Sequence, residues 1–143
     1  MAKFIRNNLN ITLGSLEFQV PLSGPIIAIM GDSGTGKSLF YDTVGILSSA
    51  GQLTNITLVS QTTVSHDDFI TLMSQNKNKV FLVDNADLML ETEEDVDLMY
   101  ASENQFILLG RRTEFFRLPY ENRGFFLVND DRTKHKLIYL TED

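Results

Sequence analysis

Gly31, Asp32, Ser33, Gly34, Thr35, Gly36, Lys37 and Ser38 follow one another as G-x-x-x-x-G-K-S. The glycines let the backbone curl so tightly that successive N–H groups point inward, and inward amides form a cradle for an anion. A helix opening at Lys37 adds the positive end of its dipole to the same place. Lys37 supplies a point charge near the β- and γ-phosphates of a nucleotide, while the Ser38 hydroxyl is a hard oxygen ligand placed for Mg2+. Leu39 carries the turn into the helix and completes the candidate binding set. An ordinary glycine-rich strand-to-helix turn can have the same composition. The flanks favour the phosphate reading, because an apolar run (25–30) precedes the turn and a helix-compatible stretch (39–42) follows it.

The elements that must hold this turn are legible in the spacing of the apolar residues. Residues 25–30 form a continuous apolar run, as in a strand covered on both faces, and a helix of about ten residues is expected from Lys37. Residues 47–52 read as the end of that helix and a turn. The next strand is expected at 54–60. Ser65 and Asp68 are a capping pair for a helix whose apolar face holds Phe69, Ile70, Leu72 and Met73. A second all-apolar strand at 80–83 ends in Asp84. Thr92 with Asp95 caps a short helix expected to bury Val96, Met99 and Tyr100. A third buried strand, 105–109, ends at Gly110, Arg111 and Arg112.

Both ends of the chain read as hairpins. Residues 10–13 and 16–20 alternate in polarity around Gly14 and Ser15, and residues 124–128 and 135–140 flank a polar stretch at 129–134. Strands alternating with short helices predict an α/β fold of three layers. Its sheet should be mainly parallel, with antiparallel hairpins at the N- and C-terminal ends. Residues 1–143 show no repeat or linker and are expected to form a single domain. Phe115 with Phe116, and Phe125 with Phe126, are expected to send one ring of each pair into the core.

On residues 31–38 the chain resembles the P-loop NTPase superfamily. The resemblance implies the three-layer P-loop fold, with ATP and Mg2+ as ligands and a Walker B carboxylate at the end of a second parallel strand. Asp84 matches that place, with the implied task of holding the Mg2+ hydration shell beside Ser38. The strand between the two motifs is similar to the additional-strand classes that include ABC and AAA-type ATPases. The N-terminal hairpin leading into the first buried strand looks most like a minimal ABC-type core. In that comparison Gln61 matches the Q-loop glutamine, and Phe4, 27 residues before Gly31, matches the aromatic that stacks on adenine. Read on their own, Asp84 can equally cap the next helix, Gln61 close a strand and Phe4 pack in the core.

Departures from that family bear on catalysis. Asn85 stands where the resemblance implies a catalytic glutamate, and an amide orients water but accepts no proton. Asp87 and Glu91 are the nearby carboxylates that could substitute. Arg111 and Arg112 stand where the family has a switch histidine, and either guanidinium could act on a γ-phosphate; both also suit a solvated surface. The candidate catalytic set is therefore Lys37, Asn85 and Arg111.

Composition limits the alternatives. Twelve basic against nineteen acidic residues give a net charge of −7, which disfavours nucleic acid and anionic membranes, and the sequence shows no basic patch. The chain has no cysteine and no apolar run near the roughly 20 residues that span a bilayer, so a soluble cytoplasmic protein is expected. His66 and His135 have no carboxylate or second histidine at metal-ligand spacing, and structural or surface roles are expected for both. The acidic run at 91–97 reads as a solvated helix start.

The expected function is ATP binding with Mg2+-dependent hydrolysis that is slow or activated by a protein partner or self-association. One alternative is a non-hydrolysing, nucleotide-responsive interaction module. Another is a small-molecule kinase with its lid in the stretch 111–123. GTP stays open as a ligand, although residues 76–79 lack the aspartate of a guanine-recognition motif.

Overall fold

The computed structural model describes residues 6–31 and 34–141. Phe4, Asp32 and Ser33 lie outside the described residues. β3 (Ile26–Met30), β5 (Val80–Val83) and β6 (Gln105–Gly110) are buried almost throughout. Successive residues of a strand face opposite ways, and the core divides accordingly. Ile27, Ile29, Leu82, Ile107 and Leu109 join one apolar cluster, whereas Ile26, Ala28, Phe81, Val83, Phe106 and Leu108 join another.

Helices cover both faces. α1 (Lys37–Ser49) lays Phe40, Val44 and Leu47, spaced for one helical face, onto the first cluster. α2 (His66–Gln75), α3 (Ala86–Met89) and α4 (Glu93–Ala101) supply Phe69, Met73, Ala86, Met89, Val96 and Met99 to the second. Burial of the Phe40 ring contributes about 2 to 3 kcal/mol. The ring lies 5.2 Å from that of Phe18 and 5.5 Å from that of Phe126, so the start of α1 is fixed by aromatic packing from the strands beside it.

The remaining strands are β1 (Ile11–Leu13), β2 (Leu16–Gln19), β4 (Ile56–Val59), β7 (Arg123–Val128) and β8 (Lys134–Tyr139). All eight form one mixed sheet in the order β1-β2-β8-β7-β3-β6-β5-β4. The expected hairpins are present as antiparallel β1–β2 and β7–β8 pairs, and the other pairings are parallel. The two hairpins also join each other, because β2 runs parallel to β8 with Phe18 opposite His135. Since β3, β6, β5 and β4 are parallel neighbours, their carboxyl ends share one edge of the sheet.

Several expectations need correction. α1 has 13 residues, because Phe40, Val44 and Leu47 continue its buried face beyond the expected length. Tyr100 is 39% exposed instead of buried; its hydroxyl donates to the Phe116 carbonyl at 2.6 Å, which holds it at the surface. Phe115 and Phe116 lie in a short 3-10 turn, with Phe116 buried and Phe115 exposed. The division between Phe125, exposed, and Phe126, buried, is as expected of a strand. No helix among the described residues is long and apolar enough to cross a membrane.

Candidate functional site

The turn between β3 and α1 relies on its glycines. Gly31, Gly34 and Gly36 have φ of 144°, 88° and 101°, a region that side chains with a Cβ rarely enter. The chain also folds back on itself, since a Cβ on Gly31 would lie 2.7 Å from Thr35 Oγ1. Lys37 Nζ donates to the Gly31 carbonyl, drawing the lysine head over the turn. Gly36 is the N-cap of α1 and can offer no side-chain cap; no acidic residue occupies the first turn. No side chain of the cap or first turn offsets the positive end of the α1 dipole, and that end favours an anion. Ser38 and Leu39 are both exposed there.

Parallel pairing brings the other candidates to the same edge. Asp84 follows β5, Arg111 and Arg112 follow β6, and Gln61 lies in the turn after β4. The Asp84 amide donates to the Val59 carbonyl at 2.8 Å, holding that corner to β4. Burial pushes the Asp84 carboxyl above its ordinary pKa. Asp42 and Asp87 push the same way, against the Asn85 amide and Lys37. A carboxyl in this condition is stabilised strongly by a cation. Ser38 and Asp84 are hard oxygen donors on the two flanks of the β6 end, and their chemistry fits Mg2+ that keeps several waters. Asn85 is exposed at φ 49°, its amide donating to Asp84 Oδ1 at 3.0 Å. Asp87 sits against Gly110, where an added Cβ would lie 2.9 Å from its Oδ1. Arg111, Arg112 and Gln61 are exposed.

Glu91 does not join this group. Its Oε2 lies 3.4 Å from His66 Nε2, and His66 Nε2 also meets Asp95 Oδ2 at 2.8 Å. Spacing along the chain places no carboxylate or second histidine at metal-ligand distance from His66, but Glu91 and Asp95 come to it from a separate segment, which that spacing does not reveal. Asp95 is likewise 9% exposed instead of solvated, because its Oδ2 accepts from the amides of Glu91 and Thr92 in a capping box. Burial alone pushes the Asp95 carboxyl up. The His66 hydrogen bond and the two amides outweigh that and hold it below its ordinary pKa, while the same hydrogen bond raises His66.

The sequence reading missed the residues on the other flank of the turn. Arg132, in the loop between β7 and β8, donates from Nη1 to the Gly34 carbonyl at 3.2 Å. His135 is buried against Gly36, stacked on Phe18 at 4.5 Å, and burial lowers its pKa. A cavity of about 280 Å³ opens between Gly34, Gly36, Ser38, Leu39, Arg132 and His135. The only available signal was that 129–134 is a polar stretch; nothing local says that it reaches residue 34.

The stretch proposed as a lid is tied down. Arg117 pairs with Asp97 of α4 at 2.6 Å, Phe116 and Leu118 are buried, and Arg123 lies over the Tyr120 ring at 5.0 Å. Models of known protein families give no match to the chain, and neither do curated proteins.

Proposed function

We propose that the chain is a P-loop nucleoside-triphosphate-binding protein, with ATP and Mg2+ as its ligands in the turn at 31–38. The observation that carries this reading is the joint placement of two motifs. The complete G-x-x-x-x-G-K-S turn lies between a buried parallel strand and an uncapped helix, and Asp84 ends a parallel strand on the other side of β6. Ligands of open parallel sheets bind outside the carboxyl ends of the strands, which is where both motifs lie. In this reading the amides from residue 34 onward grip the phosphates, Lys37 leaves the Gly31 carbonyl for phosphate oxygens, and Ser38 with Asp84 holds the metal. Mg2+ supplies charge neutralisation across the β- and γ-phosphates.

Turnover in this reading is slow or depends on a partner. Asn85 can hold a water but not take its proton, and of the two carboxylates that could substitute, Asp87 is the one that acts on Asp84. Arg111 is exposed and supplies an activating charge in cis. A non-hydrolysing switch differs from this reading only in the fate of the γ-phosphate, and Asn85 favours it. The kinase alternative is the weaker one, because the stretch 113–123 is packed against α4.

The test is thermal unfolding with Mg2+ and ATP. At 100 times its dissociation constant a ligand stabilises the fold by about 2.7 kcal/mol. Lys37→Ala is expected to abolish this shift, and an unchanged shift in that variant overturns the assignment. Asn85→Glu is expected to raise phosphate release; no rise in a variant that still binds ATP counts for the switch.

A further inference from the structure

We propose that the loop between β7 and β8 forms the nucleoside subsite of the turn at 31–38, with the Arg132 guanidinium as the surface on which the base stacks. This rests on the nucleotide-binding reading above. The direction in which a nucleotide lies follows from the sheet order. Asp84, just after β5, marks the metal and γ-phosphate side of the turn, while β7 and β8 lie on the opposite side of β3. A triphosphate whose terminal end faces Asp84 points its nucleoside toward the β7–β8 loop.

Two adjoining cavities open on that side of the turn. One cavity of about 280 Å³ is bounded by Gly34, Leu39, Arg132 and His135. A second, of about 410 Å³, shares Gly34 and Arg132 and is bounded by Phe126, Val128 and Asp130. Together they reach the size of an ordinary small-ligand pocket, roughly 300 to 1,000 Å³. The loop also carries Asp130 and Asp131, so its charge does not suit a second phosphate group. Arg132 itself is held in the left-handed region at φ 59°. With Nη1 on the Gly34 carbonyl, its guanidinium is fixed at the wall of both cavities. Asn129 fixes the loop from within, its Oδ1 accepting from the amides of Thr133 and Lys134 at 2.9 Å.

A guanidinium plane stacks on any base, because every base offers a π-face. No side chain of the cavity is required to read a base edge in this arrangement. ATP and GTP should therefore bind within about threefold of each other, and both should bind at least about tenfold more tightly than inorganic tripolyphosphate.

The experiment measures dissociation constants for ATP, GTP and tripolyphosphate with Mg2+ by calorimetry, on the wild type, Arg132→Ala and Arg132→Lys. Unfolding without ligand confirms that each variant is folded. Lysine keeps the charge and can still reach the Gly34 carbonyl but has no plane to stack on. Both variants are expected to bring ATP and GTP down to the tripolyphosphate level. If either variant keeps the full advantage of ATP over tripolyphosphate, the inference is overturned. It is overturned equally if the wild type binds ATP and tripolyphosphate alike, in which case the phosphate turn stands and the subsite falls. A wild type that binds none of the three overturns the nucleotide-binding reading itself.

Discussion

The N-termini of α1 and α4 are built on opposite principles. α4 closes its own: Thr92 and Asp95 form a capping box, Glu93, Glu94 and Asp95 lie in the first turn, and His66 binds the cap carboxylate from α2. His66 pairs with the Asp95 carboxylate, and Asp95 and His66 both move toward their charged forms. α1 has a glycine cap and no first-turn carboxylate, and burial pushes Asp84, whose charge Lys37 favours, toward the neutral form. Paired charges at α4 tie two helices together. At α1 no side-chain cap or first-turn carboxylate offsets the dipole and burial disfavours the Asp84 charge, so an anion and a cation would act most strongly at this end.

The largest effect expected from this contrast is at Gly36. A Cβ there would lie 2.7 Å from His135 Cδ2, and the ring cannot withdraw because it is stacked on Phe18 and edge-on to Phe126. Adding the strained φ, Gly36→Ala should destabilise the fold by about 3 kcal/mol, read by urea unfolding. A loss under about 1 kcal/mol would mean that the turn is looser than its packing against His135 implies.

Next in size is the metal dependence. Replacing Mg2+ by a chelator should weaken ATP binding about tenfold, or 1.4 kcal/mol, in the wild type and scarcely at all in Asp84→Asn. Equal metal dependence in the two proteins would place the metal elsewhere.

The turn was legible because its chemistry is local: residues 31–38 are contiguous, and the apolar runs at 25–30 and 80–83 declare themselves strands without reference to anything distant. The two terminal hairpins and the capping pairs at Ser65 and Thr92 were legible for the same reason. What the sequence concealed depends on strand order. That β2 pairs with β8, that residue 132 reaches residue 34, and that His66 meets Asp95 are contacts across 117, 98 and 29 positions, with no periodic signal. Tyr100 was misplaced because its spacing on α4 matches the buried face, while its hydroxyl found a carbonyl at the surface.

The smallest effect separates the two helix ends by pH. His66 holds its proton more tightly in the folded chain than in the unfolded one, where its value is near 6.5. Its contribution is therefore fully present below about pH 6.5 and fades as pH rises through the raised folded value. Asp95 is held down, so its charge survives until the pH falls below the ordinary carboxylate value of 3.8. Asp67 and Glu91, the other carboxylates facing the ring, favour the same protonated state. His66→Ala should cost about 1 kcal/mol at pH 5.5, the lower side of what a charge-assisted hydrogen bond contributes, since the ring is partly exposed. At pH 8.5 the cost should fall to about half, because the neutral ring still hydrogen-bonds but no longer pairs as a cation. Equal cost at both pH values would show that the ring acts only by packing. ATP binding should not respond to this variant at either pH, since the two helix ends share no side chain.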